Sequence, residues 1–185
     1  LTYIYIILIL ILIYYTNDIK YIKIKINNKY IYMNSLHKLT LNINKIYNKN
    51  NINKDLLQLK TLINKYNGDD WTKYIKYSKN YDKKLIYNNN LYELFVISWM
   101  PQSQSYIHDH SNNGCLFKIL NGNLTEYLYN KDIELIKKKE YSKNKIGYIN
   151  NNNNYHKMFN ETFNMSYSLH LYSPPLYKMN IYKKD

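Results

Sequence analysis

The sequence contains no arginine and no alanine, and its 185 residues include a single cysteine, Cys115. One thiol cannot close an internal disulfide, so nothing calls for an oxidising compartment and the chain leans to the cytoplasm. Without arginine, every fixed positive charge is a lysine: 26 lysines against 13 acidic residues give a net charge of +13. A balance this basic ordinarily raises nucleic acid or an anionic membrane as a partner. Lys, Asn, Ile and Tyr, however, share AT-rich codons, and the lysines are spread along the chain instead of gathered in one stretch. Coding bias accounts for the charge at least as well, and neither nucleic acid nor membrane is expected as a partner. A long hydrophobic run is also missing: Leu1 to Tyr15 is apolar but shorter than the roughly 18 to 20 residues that span a bilayer. It has neither the basic start nor the small residues of a secretory signal.

The length fits one domain with a genuine core. No Met precedes Met33, so residues 1–32 are expected to be an extension outside the fold, such as translated upstream sequence, and 33–185 the folded domain. Within the extension, the alternation of "KYIKIKI" suits a strand. After Met33 the pattern turns helical: Leu36, Leu39, Ile43 and Ile46 recur at three and four residues. Leu56, Leu59, Ile63 and Tyr66 repeat the spacing after a candidate cap at Asn53, with Asp55 in the first turn and Gly68 past the end. From Leu91 onward the signals are strands. "LYELFVISW", "KIGYIN", "YHKMF" and "YSLHLY" read as strands, and Asn121-Gly122 between apolar stretches reads as a hairpin turn. Asn150 to Asn154 reads as a polar loop. Short strands with no helices between them predict a mainly β fold, a small antiparallel barrel or jelly roll preceded by short N-terminal helices.

Three of the rarer residues lie within "YIHDHSNNGCLF": His108, His110 and Cys115. In a strand, residues two apart face one side, so His108 and His110 form a ready pair of metal ligands while Asp109 turns away. His156 opens another predicted strand and supplies a third imidazole, a set that suits Fe, Zn, Cu and Ni alike. In "YSLHLYSPP", Ser168, His170 and Tyr172 alternate and share one face, where a serine can orient a histidine and the histidine can bond a phenol.

These stretches resemble the two signature segments of eukaryotic cysteine dioxygenase, a mononuclear non-haem iron family of the cupin superfamily. The resemblance runs from about Met33 to the end, through "DWTKYIKYSKNYDKKLIY" and "YELFVISW". It implies a cupin-type barrel in which His108, His110 and His156 bind Fe(II) without a carboxylate ligand. It further implies that Cys115 and Tyr172 become joined by a thioether, that His170 bonds the Tyr172 hydroxyl and that Ser168 orients His170. The implied reaction takes L-cysteine and O2 to cysteine sulfinic acid, in a cytoplasmic monomer serving cysteine catabolism and taurine biosynthesis. The chain departs from the pattern at the substrate carboxylate. The family holds it with an arginine, where this sequence has Lys83, with Tyr81 two positions earlier, and a point charge does not reproduce a bidentate fork. The competing expectations are a dioxygenase for another small thiol such as 3-mercaptopropionate, and a catalytically silent cupin.

Overall fold

The computed structural model describes residues 23–26, 29–32, 35–49, 56–151 and 155–183. Strands β1 (Lys23–Ile26) and β2 (Lys29–Tyr32) pair antiparallel with each other, and neither joins a larger sheet. The alternating lysines and isoleucines thus do form a strand. The rest of the expected extension, and the boundary at Met33 itself, lie outside the described residues.

Helix α1 (Leu36–Lys49) begins where Ser35 Oγ accepts the Lys38 N–H at 3.2 Å and Asp70 Oδ2 accepts the Leu36 N–H at 2.9 Å, so two donors of the first turn are satisfied. A 3-10 turn (Leu56–Leu59) runs into α2 (Lys60–Lys65); the expected cap residues Asn53 and Asp55 lie outside the described residues. The apolar stripe read from the spacing is buried: Leu36, Leu39, Ile43, Leu56, Leu59, Ile63 and Tyr66 all enter one core, each contributing about 1.5 to 3 kcal/mol if wholly removed from water.

The remaining strands are β3 (Tyr81–Asn88), β4 (Glu93–Trp99), β5 (Ile107–His108), β6 (Cys115–Asn121), β7 (Asn123–Tyr129), β8 (Leu135–Ser142), β9 (Ile146–Ile149), β10 (Tyr155–Phe159), β11 (Ser166–Tyr172) and β12 (Ile181–Tyr182). They form two five-stranded antiparallel sheets, in the orders β3-β4-β11-β6-β9 and β12-β5-β10-β7-β8. This is the predicted jelly roll. Side-chain alternation divides the first sheet into two faces. Leu94, Val96, Leu116, Leu120, Leu169 and Leu171 pack outward under the helices. Ile97, Trp99, Cys115, Phe117 and Ile119 pack inward with Leu124, Tyr141 and Met158 of the second sheet. Lys118, on the helix side of β6, donates from Nζ to the carbonyls of Asn64 at 2.9 Å and Tyr66 at 2.5 Å, closing the end of α2 and tying it to the sheet.

One expectation needs correction. Asn121-Gly122 is no hairpin: β6 pairs with β11 and β9, whereas β7 pairs with β10 and β8. The two residues form the corner at which the chain leaves one sheet for the other. Gly122 has φ of +78°, and a Cβ there would collide with Ser166, whose Oγ accepts the Asn123 N–H at 3.0 Å and donates to the Asn123 carbonyl at 2.7 Å. Sequence spacing cannot distinguish this corner from a hairpin, because both need glycine between two strands. Among the strands of the two five-stranded sheets, β3, β8 and β12 were not anticipated. Each is the edge of its sheet. β8 is exposed except at Tyr141, β3 is half-buried with lysines at its middle, and β12 is two residues long, so none carries the apolar alternation that announces an inner strand.

Candidate metal centre

The strand β5 ends at His108, and the chain passes through Asp109 to His110 before turning at Gly114 into β6. His156 lies opposite His108 in the β5–β10 ladder. The three imidazoles converge inside the barrel, with one ligand atom from each within 4.8 Å of the others. His110 Nε2 lies 2.8 Å from His156 Nε2, which lies 3.2 Å from His108 Nε2. Asp109 turns the other way, accepting from the Asn180 N–H at 2.9 Å, Asn180 Nδ2 at 2.7 Å and the Tyr182 hydroxyl at 3.1 Å.

The outer nitrogens determine which atoms face inward. His108 Nδ1–H donates to the Tyr106 carbonyl at 2.8 Å, and His156 Nδ1–H donates to Glu126 Oε1 at 2.8 Å. In the neutral rings each Nε2 is then a bare lone pair, and two such lone pairs face each other without a hydrogen between them. That arrangement is repulsive alone and favourable around a cation, so the donor set fits a metal ion. Burial, then the neighbouring His156, lowers His108 to about 3, and the same causes in the same order, with His108 added, hold His110 well below its ordinary value. Both rings are therefore neutral, as ligation requires.

Glu126 was not anticipated. Burial alone would raise its carboxyl, but hydrogen bonds from His156 and from Tyr141, whose hydroxyl donates to Oε2 at 2.8 Å, hold it below the usual range. It fixes the tautomer and the direction of the His156 ring, the usual task of a carboxylate behind a ligating histidine. The available signal was an acid at an inward position of a strand, on the same face as Leu124.

The row expected on β11 is present. Trp99 Nε1–H donates to Ser168 Oγ at 2.8 Å, and the same Oγ lies 2.8 Å from His170 Nε2. An indole N–H can only donate, so Ser168 accepts from Trp99 and keeps its own hydrogen free for His170. His170 is held well below its ordinary value by burial and then by Lys83, and its Nδ1 lies 3.3 Å from the Tyr172 oxygen. The Tyr172 ring also stacks on His110, with centroids 5.8 Å apart, which joins the row to the three histidines. Trp99 completes the row, and spacing alone did not reveal it.

Cys115 sits directly opposite Tyr172 in the β6–β11 ladder, with Sγ 3.6 Å from His170 Nδ1. Burial pushes its thiol up to about 12 against the opposing effect of Lys83, so it is neutral. The Lys83 ammonium lies 4.0 Å from the ring centroids of both Phe95 and Tyr172, and burial lowers its pKa. Tyr81 stacks on Trp99 at 5.0 Å. Tyr81, Lys83, His108, His156, His170 and Tyr172 all line one cavity of about 380 Å³, and His110 lines a small adjoining pocket that shares Lys83 and Tyr172.

Fold and site together define a cupin with a buried cluster of three histidines. A double-stranded β-helix protein of Klebsiella pneumoniae superposes with a TM-score of 0.52 at 13% identity, over 61% of this chain and 94% of that one. The sequence model of cysteine dioxygenase type I matches residues 26–185, and the chain belongs to that family. It is 33% identical to human cysteine dioxygenase type 1 over 64% of each chain, and 31% identical to the Danio rerio protein of the same name over 76% of this chain and 75% of the relative. The chain thus spans less than two thirds of the human protein's length. No helix among the described residues is long and apolar enough to cross a membrane.

Proposed function

We propose that this protein is a non-haem iron dioxygenase that converts free L-cysteine and O2 to cysteine sulfinic acid, with both oxygen atoms ending on sulfur. The observation that carries the proposal is the convergence of three imidazoles at the cavity that also receives Lys83 and the Tyr172 phenol. His108, His110 and His156 hold the metal through Nε2. Bound iron(II) supplies the means for the thiol and dioxygen to react at one centre. Lys83 takes the substrate carboxylate, with Tyr81 beside it. Tyr172, held beside His170 Nδ1, presents its phenol to the cavity as a fixed hydrogen-bonding group. Ser168 and Trp99 act one step further out, by orienting His170. Cys115 and the Tyr172 ring are the pair we expect to become joined by a thioether, losing two hydrogen atoms with O2 as acceptor.

We take residues 33–185 as the catalytic unit, with 1–32 outside it, and the enzyme as a cytoplasmic monomer; the cytoplasmic placement rests on the lone Cys115. Lys83 in the arginine position favours one alternative, a dioxygenase for another carboxylate-bearing thiol such as 3-mercaptopropionate.

Oxygen uptake by the iron-loaded protein, measured with cysteine, 3-mercaptopropionate and cysteamine, tests the reading. One O2 is expected per cysteine sulfinic acid formed, and the turned-over sample is expected to yield a Cys115–Tyr172 linked peptide two hydrogens lighter. Absence of uptake with every thiol by protein that retains iron would make it a silent cupin. Glu126→Ala provides a separate prediction: weaker metal binding by about 10- to 100-fold, read by competition with a chelator. Unchanged affinity would show that His156 needs no carboxylate behind it.

A further inference from the structure

The segment after Pro175 returns across the mouth of the cavity and supplies Tyr177, Lys178, Met179 and Ile181 to its wall. It is held in place. Asp109, between two of the histidines, accepts three hydrogen bonds from Asn180 and Tyr182; Ile181 pairs with His108 in the β12–β5 ladder; and the Tyr182 ring stacks on Tyr155 at 3.9 Å. Lys178 is therefore carried on a strap fixed against the strand that bears His108.

The charge of the cavity is one-sided. Its lining includes two lysines, Lys83 and Lys178, and no Asp or Glu. Neither lysine has a carboxylate within 4.0 Å among the described residues, where the ion pairs are Lys138 with Glu161 and His156 with Glu126. Glu93 acts on Lys83 from a distance beyond an ion pair and lines an adjoining pocket, not this one. Two ammonium groups at one pocket with apolar and aromatic walls form a field that concentrates anions.

Resting on the reading above, we propose that Lys178 is a second cation for the substrate carboxylate and that the site selects thiols by negative charge. One ammonium cannot make the two parallel bonds of a guanidinium. A second ammonium, from the strap, supplies the second donor that Lys83 alone lacks. The strap thus determines specificity, and Asp109 positions it.

The test is ligand binding by the iron-loaded full chain under anaerobic conditions, followed by the fluorescence of Trp99, which lines the cavity. L-Cysteine, 3-mercaptopropionate and the carboxylate-free cysteamine are titrated into the parent, Lys178→Gln, Lys178→Arg and Lys83→Gln. Lys178 is exposed, so Lys178→Gln is expected to weaken binding of the two carboxylates by about three- to tenfold, with cysteamine little affected and with Lys178→Arg restoring affinity. In turnover, KM is expected to rise more than kcat falls. Equal affinity of Lys178→Gln and the parent for cysteine overturns the inference, as does an equal loss for cysteamine, which would mark a disturbed strap instead of a lost charge. A parent that binds neither carboxylate overturns it too. Lys178-dependent binding without oxygen uptake would sustain this inference while removing the proposed reaction.

Discussion

Replacing His156 with alanine is expected to weaken metal binding by more than about 100-fold, beyond the effect of losing an outer-shell partner, and to abolish oxygen uptake. His156 has the shortest contacts of the three rings, with Nε2 2.8 Å from His110 and 3.2 Å from His108, so its removal leaves two ligands and an open side. It also strips Glu126 of the donor that balances its burial, leaving only the Tyr141 hydroxyl. The double change His156→Ala with Glu126→Gln separates these effects, since a neutral amide removes the buried charge without restoring a ligand. Iron content by elemental analysis, alongside thermal melts, reads the result. Full occupancy in either variant would remove His156 from the metal site.

The metal-free protein is expected to lose stability steeply below pH 6.5. Burial, then Lys83, holds His170 well below its ordinary value; burial and His156 lower His108 to about 3 and keep His110 far down as well. In the unfolded chain these imidazoles titrate near 6.5. Between that value and the depressed folded values, the unfolded chain binds protons that the folded chain refuses. The stabilisation is complete above pH 6.5 and is lost as pH falls toward the folded values. Each histidine costs about 1.4 kcal/mol per pH unit over the part of that window in which the folded chain refuses its proton, so the slope steepens with every ring held down. Melts of chelator-treated protein from pH 7.5 to 4.5 would show the decline; a melting temperature flat across that range would mean that these rings titrate freely.

The amino-acid pattern made the fold class and the grouping of the three histidines legible, because both lean on side-chain alternation. His108 and His156 face each other from paired strands, His110 follows two residues past His108 beyond the end of β5, and Ser168, His170 and Tyr172 share a face by strand periodicity. What escaped was whatever depends on pairing between distant segments. Glu126 and Trp99 act through His156 and Ser168, which lie 30 and 69 positions away in the chain. The edges β3 and β8 carry lysines where inner strands carry leucines, so their sequences resemble loops. The Asn121-Gly122 corner shows the same limit: glycine announces a turn, whereas the partners of the two strands reside elsewhere in the chain.

The two faces of the first sheet have a consequence for how this sequence can change. On β6, Cys115, Phe117 and Ile119 look into the barrel while Leu116, Lys118 and Leu120 look to the helices; on β11 the inward set is Ser168, His170 and Tyr172. Substituting Leu169 or Leu171 alters the packing of the helical layer and leaves the chemistry in place. Removing one residue ahead of either strand shifts every later side chain to the opposite face, sending His170 toward the helices and a leucine toward the metal. These strands therefore have a reading frame in space, with a period of two. Their helix-facing leucines are free to drift, but their length is not.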